Sequence, residues 1–206
     1  MLEPLVARSL TGFIRLLTGS RVFWSEPLAP GRRVYYGNHS SHGDFVLIWS
    51  ALPPPLRAQA RPVAAAEYWR RGALRRYLIR RVFKGVLVER DAAQRTEDPV
   101  ATMAAAIEAG SALILFPEGT RNPGDGVLPF KSGLYHLATR CADLELVPVW
   151  LENLNRVMPK GRLIPLPLLC TARFGLPLRL DDGEDKHDFL ERARAALLAL
   201  APAEAA

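Results

Sequence analysis

The chain has 206 residues, of which 49% are hydrophobic, 23% charged and 8% aromatic, a composition that excludes a disordered chain or a fibrous repeat and fits one globular domain. The formal net charge is +6, which favours an anionic partner: nucleic acid, an anionic membrane surface, or a phosphorylated or CoA-like substrate. Cys141 and Cys170 lie far apart with no Cys/His cluster, which argues against a disulfide scaffold or a zinc site.

The first segment, residues 2–19, predicts an amphipathic helix, because its leucines, valine, isoleucine and phenylalanine share one side of a helical wheel. Arg8 and Arg15 lie on the other side and interrupt the apolar stretch, so we expect neither a signal peptide nor a transmembrane helix. Such a helix can lie in a membrane interface or pack on its own domain, and the wheel alone does not decide. We assign residues 1–24 to a membrane-interface helix and residues 25–206 to the main domain.

Beyond this helix, short apolar runs alternate with helical patterns along the chain. Strands are predicted at 33–37, 63–66, 85–88, 112–116, 145–151 and 168–174, and helices at 43–52, 67–82, 98–109, 132–140 and 185–200. The proline-rich stretch 159–167 is predicted to be a loop. This alternation predicts a single α/β domain with a largely parallel central sheet flanked by helices.

Within the predicted helix 67–82 and just beyond it, six arginines and Lys84 are scattered among aromatic and aliphatic side chains. This mixture suits a phospholipid boundary, where apolar stems stay in the lipid and guanidinium groups reach the phosphates. A solvated, salt-bridged face and a nucleic-acid-binding stripe remain as alternatives.

A histidine and a carboxylate follow the first predicted strand, within the sequence Asn-His-Ser-Ser-His-Gly-Asp at 38–44. If His39 lies on the loop and Asp44 in the first helical turn, the carboxylate can orient the imidazole and leave its other nitrogen to accept a proton. The sequence contains no nucleophile elbow, so this base is expected to activate a hydroxyl group of a bound substrate. His39, His42 and Asp44 form too small a set for a metal site without a second cluster, and none is expected.

A second group of polar residues, Phe-Pro-Glu-Gly-Thr-Arg at 116–121, follows the buried run at 112–115. Gly119 permits close approach of a ligand, and Arg121 can bind an anion through two hydrogen bonds. Taken alone, the turn could also be an ordinary one with a surface ion pair. Arg90 and Lys131 add a cation at the end of a predicted strand and near the start of a predicted helix.

Taken together, these motifs resemble those of the glycerolipid acyltransferase superfamily, and most closely those of the lysophosphatidic acid acyltransferases. Four motif regions occur in order: 38–44, 85–90 (Gly-Val-Leu-Val-Glu-Arg), 116–121 and 147–149 (Val-Pro-Val). Two departures are that Leu87 and Val88 precede the arginine where many members have an aromatic residue and an isoleucine, and that Glu89 replaces the more usual aspartate.

The resemblance implies transfer of a fatty acyl group from acyl-CoA or acyl carrier protein to the free hydroxyl of lysophosphatidate, without an acyl-enzyme or another cofactor. His39 would be the base and Asp44 its orienting partner. Val147–Val149 would shape the acyl channel, and backbone amides near Ser40 or Gly119 are candidates for the oxyanion hole. The residues implied for substrate binding are Arg90, Glu118, Gly119, Thr120, Arg121 and Lys131.

The resemblance also implies a peripheral, monotopic protein on the cytoplasmic face of the cell membrane, because many members begin with true hydrophobic spans and this chain begins with one short amphipathic helix. The expected partners are the lysophospholipid, the acyl donor and an anionic membrane surface, with no nucleic acid. Two alternatives stay open: another lysolipid acceptor, such as a lyso-ornithine lipid, or a membrane-surface lipid-binding protein without turnover.

Overall fold

A computed structural model describes residues 3–27, 29, 31–41, 43–89, 91, 97–122, 124, 126–152 and 170–202. His42, Arg90 and the predicted loop 159–167 lie outside the described residues, so what the sequence predicts for them stays a prediction. The helices are α1 (Glu3–Thr18), α2 (Asp44–Ala51), α3 (Pro54–Gln59), α4 (Ala66–Trp69), α5 (Ala73–Tyr77), a π-helical turn (Leu78–Val82), α6 (Pro99–Glu108), α7 (Gly133–Arg140) and α8 (Lys186–Leu198). The strands are β1 (Arg21–Trp24), β2 (Arg33–Gly37), β3 (Ala60–Ala65), β4 (Val86–Val88), β5 (Ala112–Leu115), β6 (Glu145–Glu152) and β7 (Thr171–Phe174).

These strands form one sheet in the order β1-β7-β6-β2-β5-β3-β4. The strands from β6 to β4 in this order run parallel, while β7 is antiparallel to β6 and β1 is parallel to β7. The predicted largely parallel sheet is therefore confirmed. The two edge strands β7 and β1, which run antiparallel to the other five strands, were not predicted to do so.

The centre of the sheet is covered on both faces, as the apolar run of β2 requires. Tyr35 points into a core that contains residues of α2 and the π-helical turn. Its neighbours Val34 and Tyr36 point into a second core with residues of α6, α7 and α8. Because side chains alternate along a strand, one continuous apolar run supplies both layers.

The predicted helix 67–82 is interrupted in the structure. Gly72 has φ +80°, a left-handed conformation that ends α4 before α5 begins. The chain then continues directly from α5 into the π-helical turn Leu78–Val82. Arg70 and Arg71 consequently lie in the turn between α4 and α5, and the other four arginines lie on α5 and the π-helical turn, so the arginines do not form one long helical face.

The N-terminal helix packs on the domain with one side only. Val6 and Leu10 lie against the core, and the Arg15 guanidinium donates a hydrogen bond of 3.0 Å to the Ser50 carbonyl oxygen. On the outer side Leu5 and Phe13 are 67% and 60% exposed. The helical wheel left open whether α1 packs on the domain or lies in a membrane interface. The structure shows that one side of α1 packs on the domain and that apolar residues on its other side stay exposed.

The boundary proposed at residue 24 does not separate the helix from the domain. β1 (Arg21–Trp24) pairs in register with β7, and the Trp24 ring stacks on Phe174 with 3.9 Å between ring centroids. The residues from 21 onward therefore belong to the sheet. Among the described residues, the structure contains no helix with both the length and the apolar character needed to cross a membrane.

Candidate active site

The candidate site lies where β2 and β5 end beside each other. Tyr36 of β2 pairs with Leu115 of β5, so the loops that follow these strands leave the sheet at the same edge. His39 and the 116–121 turn thereby meet although about 80 residues of chain separate them. Ligand sites in sheets of this kind form at the carboxyl ends of parallel strands.

His39 and Asp44 form the predicted pair. The His39 ring nitrogen Nδ1 lies 2.8 Å from Asp44 Oδ2. The same oxygen accepts hydrogen bonds from the backbone N–H groups of Ser40, at 2.7 Å, and Ser41, at 2.8 Å. Asp44 is fully buried and is the first residue of α2, where the helix dipole favours a negative charge.

This geometry determines which nitrogen of His39 is reactive. A neutral imidazole facing a carboxylate through Nδ1 holds its proton there, which leaves the lone pair on Nε2. The ring also stacks on Phe116, with 4.3 Å between centroids and 16° between planes, and it lines the cavity described below. This arrangement allows Nε2 of His39 to accept a proton from a group bound in that cavity.

Cys170 is also close enough to Asp44 to be influenced by its charge. Burial, and secondarily the Asp44 carboxylate, raise the pKa of Cys170 to about 11. Its thiol therefore stays protonated at neutral pH and is a poor nucleophile. This agrees with the expectation that the attacking hydroxyl comes from the substrate.

Glu118 does not sit where a substrate-binding residue would. It is 2% exposed, and its two oxygens accept hydrogen bonds from the backbone N–H groups of His39, at 2.8 Å, and Leu128, at 2.9 Å. Burial raises the pKa of Glu118, and the two backbone hydrogen bonds partly offset this effect. Glu118 is not among the residues that line the cavity, and in this structure its carboxylate holds the backbone of His39.

The remaining residues of the turn differ in position. Gly119 has φ +69°, and a Cβ built there would lie 2.8 Å from Cδ and Cε of Lys131, so the lysine stem runs across the glycine. Arg121 and Lys131 are exposed and line the cavity, as a binding role requires. Thr120 is exposed and is not among the residues that line it.

The cavity next to His39 has a volume of about 660 Å³, which is in the range of small-molecule sites. One part of its wall is polar and cationic, with His39, Arg121 and Lys131. The rest is lined by many apolar residues and by the acidic residues Glu67, Glu89 and Asp98, and it is formed by β3, α4, the start of α2, the ends of β4 and β5, and the starts of α6 and α7. The apolar lining residues include Phe45, Val63, Ala64, Ala65, Trp69, Val88, Val100, Met103, Leu115, Phe116 and Leu134.

The structure contradicts the expectation for the 147–149 motif, and it shows that two of the candidate amides for the oxyanion hole are already hydrogen-bonded. Val147 and Val149 are fully buried in the middle of the sheet and do not line the cavity, so the 147–149 motif supports the core and not the channel. The Ser40 amide donates to Asp44, and the Gly119 amide donates to the Phe116 carbonyl oxygen at 3.0 Å. Neither amide is available to an oxyanion.

Asn38 is a further residue of the site that sequence reasoning did not single out. Its side-chain amide donates to the Leu151 carbonyl oxygen at 2.9 Å and accepts from the Leu151 N–H at 2.8 Å. The Asn38 side chain thereby continues the β2–β6 pairing past the end of the strand and fixes the start of the His39 loop. The sequence feature that could have pointed to Asn38 is its position directly before the candidate base, His39.

No group of three or more His, Cys, Asp or Glu side chains able to hold a metal ion occurs in the part of the chain that the structure describes. The described site contains His39 with its carboxylate partner Asp44, and the cations Arg121 and Lys131 on the cavity wall.

The sequence model of the family described as Acyltransferase matches residues 21–152, which include both motif loops. The chain therefore belongs to the acyltransferase family. Its curated relatives include 1-acyl-sn-glycerol-3-phosphate acyltransferases. The one from Salmonella typhimurium is 27% identical over 140 residues, covering 65% of this chain and 52% of the relative. The one from Escherichia coli is 28% identical over 160 residues, covering 70% and 60%.

A plant relative of the same description, from Cocos nucifera, is 34% identical over 82 residues, covering 40% of this chain and 26% of the relative. The chain spans about half the length of the Salmonella relative. Among solved structures, the crystal structure of the 1-acyl-sn-glycerophosphate (LPA) acyltransferase PlsC from Thermotoga maritima has a TM-score of 0.72 at 20% identity, covering 96% of this chain and 79% of that chain. This likeness shows the fold and confirms the single α/β domain.

Proposed function

We propose that the protein transfers a fatty acyl group from the thioester of acyl-CoA or acyl carrier protein to the free hydroxyl of lysophosphatidate, giving phosphatidate for phospholipid synthesis. The observation that carries the proposal is the His39–Asp44 pair, whose histidine lines a cavity that has two cations on one part of its wall and mostly apolar residues, with Glu67, Glu89 and Asp98, on the rest. The description of the curated relatives supports the choice of acceptor.

In the proposed reaction, Nε2 of His39 takes the proton of the acceptor hydroxyl while its oxygen attacks the thioester carbonyl carbon. The tetrahedral intermediate collapses with cleavage of the C–S bond, and the leaving thiolate takes the proton back from His39. The Asp44 carboxylate, held by two backbone N–H groups, stabilises the imidazolium in between. A base of this kind contributes about 10²- to 10⁴-fold to the rate.

The acceptor phosphate would bind to Arg121 and Lys131, the described cations of the cavity wall. Guanidinium groups suit phosphate because they donate two parallel hydrogen bonds. Arg90, which the family resemblance assigns to the same phosphate, lies outside the described residues. The apolar part of the cavity suits an acyl chain, because a chain bound there leaves water.

We also propose that the protein binds anionic membranes peripherally, at their cytoplasmic face. α1 packs beside the π-helical turn that continues α5, so the exposed apolar residues of α1 and α5 belong to neighbouring elements. On α5, Leu74 is 70% exposed and Tyr77 is 37% exposed. Exposed apolar side chains next to cations are typical of a membrane-interface surface.

The basic segment also borders the cavity. Tyr68 lines the cavity, and the Arg75 guanidinium lies 4.4 Å from the centroid of its ring. Arg76, Arg80 and Arg81 are exposed on α5 and the π-helical turn, and Arg71 is exposed in the turn that precedes α5. A surface that binds lipid phosphates here would place the cavity at headgroup depth, where a lysolipid acceptor lies.

The test of the reaction is formation of phosphatidate from lysophosphatidate in mixed micelles, with a long-chain acyl-CoA and, separately, acylated carrier protein as donor. His39→Ala is the active-site variant, and His187→Ala, an exposed histidine on α8, is the matched control. Product with the wild type and the control but not with His39→Ala would support the proposal. Full activity of His39→Ala would contradict it.

The same assay separates the alternatives for the acceptor. If lysophosphatidate gives no product with either donor, a panel of lysolipids that includes a lyso-ornithine lipid follows. Product with one of these would replace the proposed acceptor and keep the chemistry. No product with any acceptor, together with lysolipid binding that survives His39→Ala, would indicate a lipid-binding protein without turnover.

Membrane binding is tested by co-sedimentation with phosphatidylcholine vesicles, with and without phosphatidylglycerol. Replacing Leu74 and Tyr77 by serine is expected to reduce binding to the anionic vesicles. Leu176→Ser is the matched control, since Leu176 is 60% exposed but lies near the start of β6, away from the cavity edge. Equal loss in the control, or no loss in the double variant, would contradict the assignment of this surface.

A further inference from the structure

Arg194, on the C-terminal helix α8, contacts the loop that leads from the 116–121 turn to α7. Its Nε and Nη2 atoms donate hydrogen bonds of 3.2 Å and 2.8 Å to the carbonyl oxygen of Val127. Val127 is 5% exposed, so this carbonyl group is held in a mostly dry setting, where a bond from a charged donor is strong. No motif of the sequence pointed to this arginine.

The hydrogen bond from Arg194 to the Val127 carbonyl oxygen is connected to the active site through one peptide group. The Val127 carbonyl and the Leu128 N–H belong to the same peptide bond, and in a trans peptide they point in opposite directions. Arg194 binds the oxygen of this peptide, and Glu118 accepts from its nitrogen at 2.9 Å. A cation on the oxygen side and a carboxylate on the nitrogen side both favour the same orientation of the peptide dipole.

The path then continues from Glu118 to the base. The second oxygen of Glu118 accepts the backbone N–H of His39 at 2.8 Å, and the Asn122 N–H donates to the His39 carbonyl oxygen at 2.7 Å. The backbone of His39 is thus held on both sides by the loop that begins in the 116–121 turn. The Glu118 side of this support depends on the Val127–Leu128 peptide keeping its orientation.

The helix that carries Arg194 is itself fixed to β2, the strand that leads into the His39 loop. The hydroxyl group of Tyr36, in β2, donates a hydrogen bond of 2.9 Å to the carbonyl oxygen of Ala193, the residue before Arg194. Tyr36 is fully buried. One short stretch of α8 therefore contacts both β2 and the loop behind Glu118.

We infer that Arg194 is a positioning residue of the active site, which acts through the Val127–Leu128 peptide and Glu118 to fix the backbone of His39. The inference rests on the proposed function for its kinetic readout. It adds a contribution from the C-terminal helix, outside the four motif regions, to the placement of the base. In the described part of the chain, the hydrogen bonds and ion pair of Arg194 go to Val127 and Glu191, and neither residue lines the cavity.

The kinetic test replaces Arg194 by methionine, which keeps a long side chain but cannot donate, and by lysine, which can donate again. With Arg194→Met, kcat is expected to fall roughly tenfold with little change in KM for the lysolipid. Displacing a catalytic group by a whole ångström costs roughly hundredfold in rate. The expected loss of kcat in Arg194→Met is smaller, because the Lys131 N–H still donates to the Pro117 carbonyl oxygen and holds the loop. Arg194→Lys is expected to recover part of kcat.

Arg192→Met is the matched control on the same helix. Arg192 donates to Glu184 at 2.7 and 2.6 Å and to the Arg179 carbonyl oxygen at 2.7 Å, away from the loop. It is expected to lower the melting temperature and leave kcat unchanged. If Arg194→Met also changes only the melting temperature, Arg194 is merely structural and the inference is overturned.

Two further measurements make the test specific. In a Glu118→Gln background, Arg194→Met is expected to change kcat less than about twofold, because the two residues act in series; full additivity would contradict the path. Hydrogen exchange of the segment that contains the His39 amide needs no turnover. Faster exchange is expected in Arg194→Met than in Arg192→Met, and equal exchange would overturn the inference even if no lysolipid proves to be a substrate.

Discussion

Substitution of Glu118 by glutamine separates two readings of the 116–121 motif. If Glu118 bound substrate, the variant would raise KM for the acceptor and leave the fold unchanged. In the structure Glu118 accepts two backbone hydrogen bonds from within the protein, so the variant is expected to lower both stability and kcat.

The magnitude follows from the hydrogen bonds. Glutamine keeps one acceptor oxygen and brings an NH2 group to face either the His39 or the Leu128 N–H. The loss of one bond to a charged acceptor costs about 1.5–3 kcal/mol, and a buried donor without a partner costs about 1–3 kcal/mol more. Relief of the buried charge offsets part of this, which leaves a net loss of about 3 kcal/mol. For a chain of this length, that is a fall of about 6–12 °C in melting temperature.

The pH dependence gives an independent check. Burial raises the pKa of Glu118 above its ordinary value of 4.5, so in the window above pH 4.5 the folded protein holds a proton that the unfolded chain has released. The contribution of this group to the free energy of unfolding therefore falls as pH rises through the window and is constant above the raised pKa. The Glu118→Gln variant lacks the group and is expected to lose this part of the slope.

The assay combines thermal unfolding, followed by circular dichroism from pH 4 to pH 8, with initial rates at a temperature where every variant is folded. Glu108→Gln, at an exposed position at the end of α6, is the matched control and is expected to match the wild type. A Glu118→Gln variant with unchanged melting temperature and a raised KM would refute the positioning role and restore the substrate-binding one.

Three other substitutions test the same site. His39→Ala is expected to reduce kcat by about 10²- to 10⁴-fold while the protein still folds, as checked by initial rates and circular dichroism; a loss below threefold would show that another group is the base. Gly119→Ala is expected to lower stability by about 1–2 kcal/mol and to raise KM for the acceptor, because φ is +69° and the new methyl group would displace the Lys131 side chain; calorimetry and kinetics together test this, and a variant as stable as the wild type would contradict it. Asn38→Ala is expected to cost about 2 kcal/mol, since both hydrogen bonds to Leu151 are lost, and urea unfolding that shows no change would mean that water replaces the amide.

The alternation of strands and helices was readable from the sequence because it depends on local periodicity. The predicted strands at 33–37, 85–88, 112–116 and 145–151 all occur, with ends that differ by one residue at most. β1 (Arg21–Trp24) and α3 (Pro54–Gln59) were missed, since each is too short to show a clear period. β1 is a strand because β7 offers it a partner, and that partner lies 150 residues further along the chain in the register Arg21 to Thr171.

The chemistry of the base was likewise determined by the sequence. His39 and Asp44 are five residues apart, so a single loop-to-helix corner can bring them together, and no distant part of the chain is needed to predict their contact. The same holds for the amphipathic character of α1, which follows from the order of its side chains. Which side of that helix is covered depends on what the rest of the domain places against it.

The roles within the 116–121 turn were decided only by the tertiary structure. A glutamate beside an arginine suggests a polar binding loop, but Glu118 is buried because β2 and β5 lie side by side, and its partners His39 and Leu128 are 79 and 10 residues away. The 147–149 motif likewise lies in the core because β6 is covered on both faces. The burial of a residue and its hydrogen-bond partners depend on which distant segments of the chain pack together, and this cannot be predicted from the local sequence. Residue types and spacing therefore determined the reaction chemistry, whereas the packing of β2, β5, the 126–131 loop and α8 decided which of those residues can touch a substrate and which ones hold the base in place.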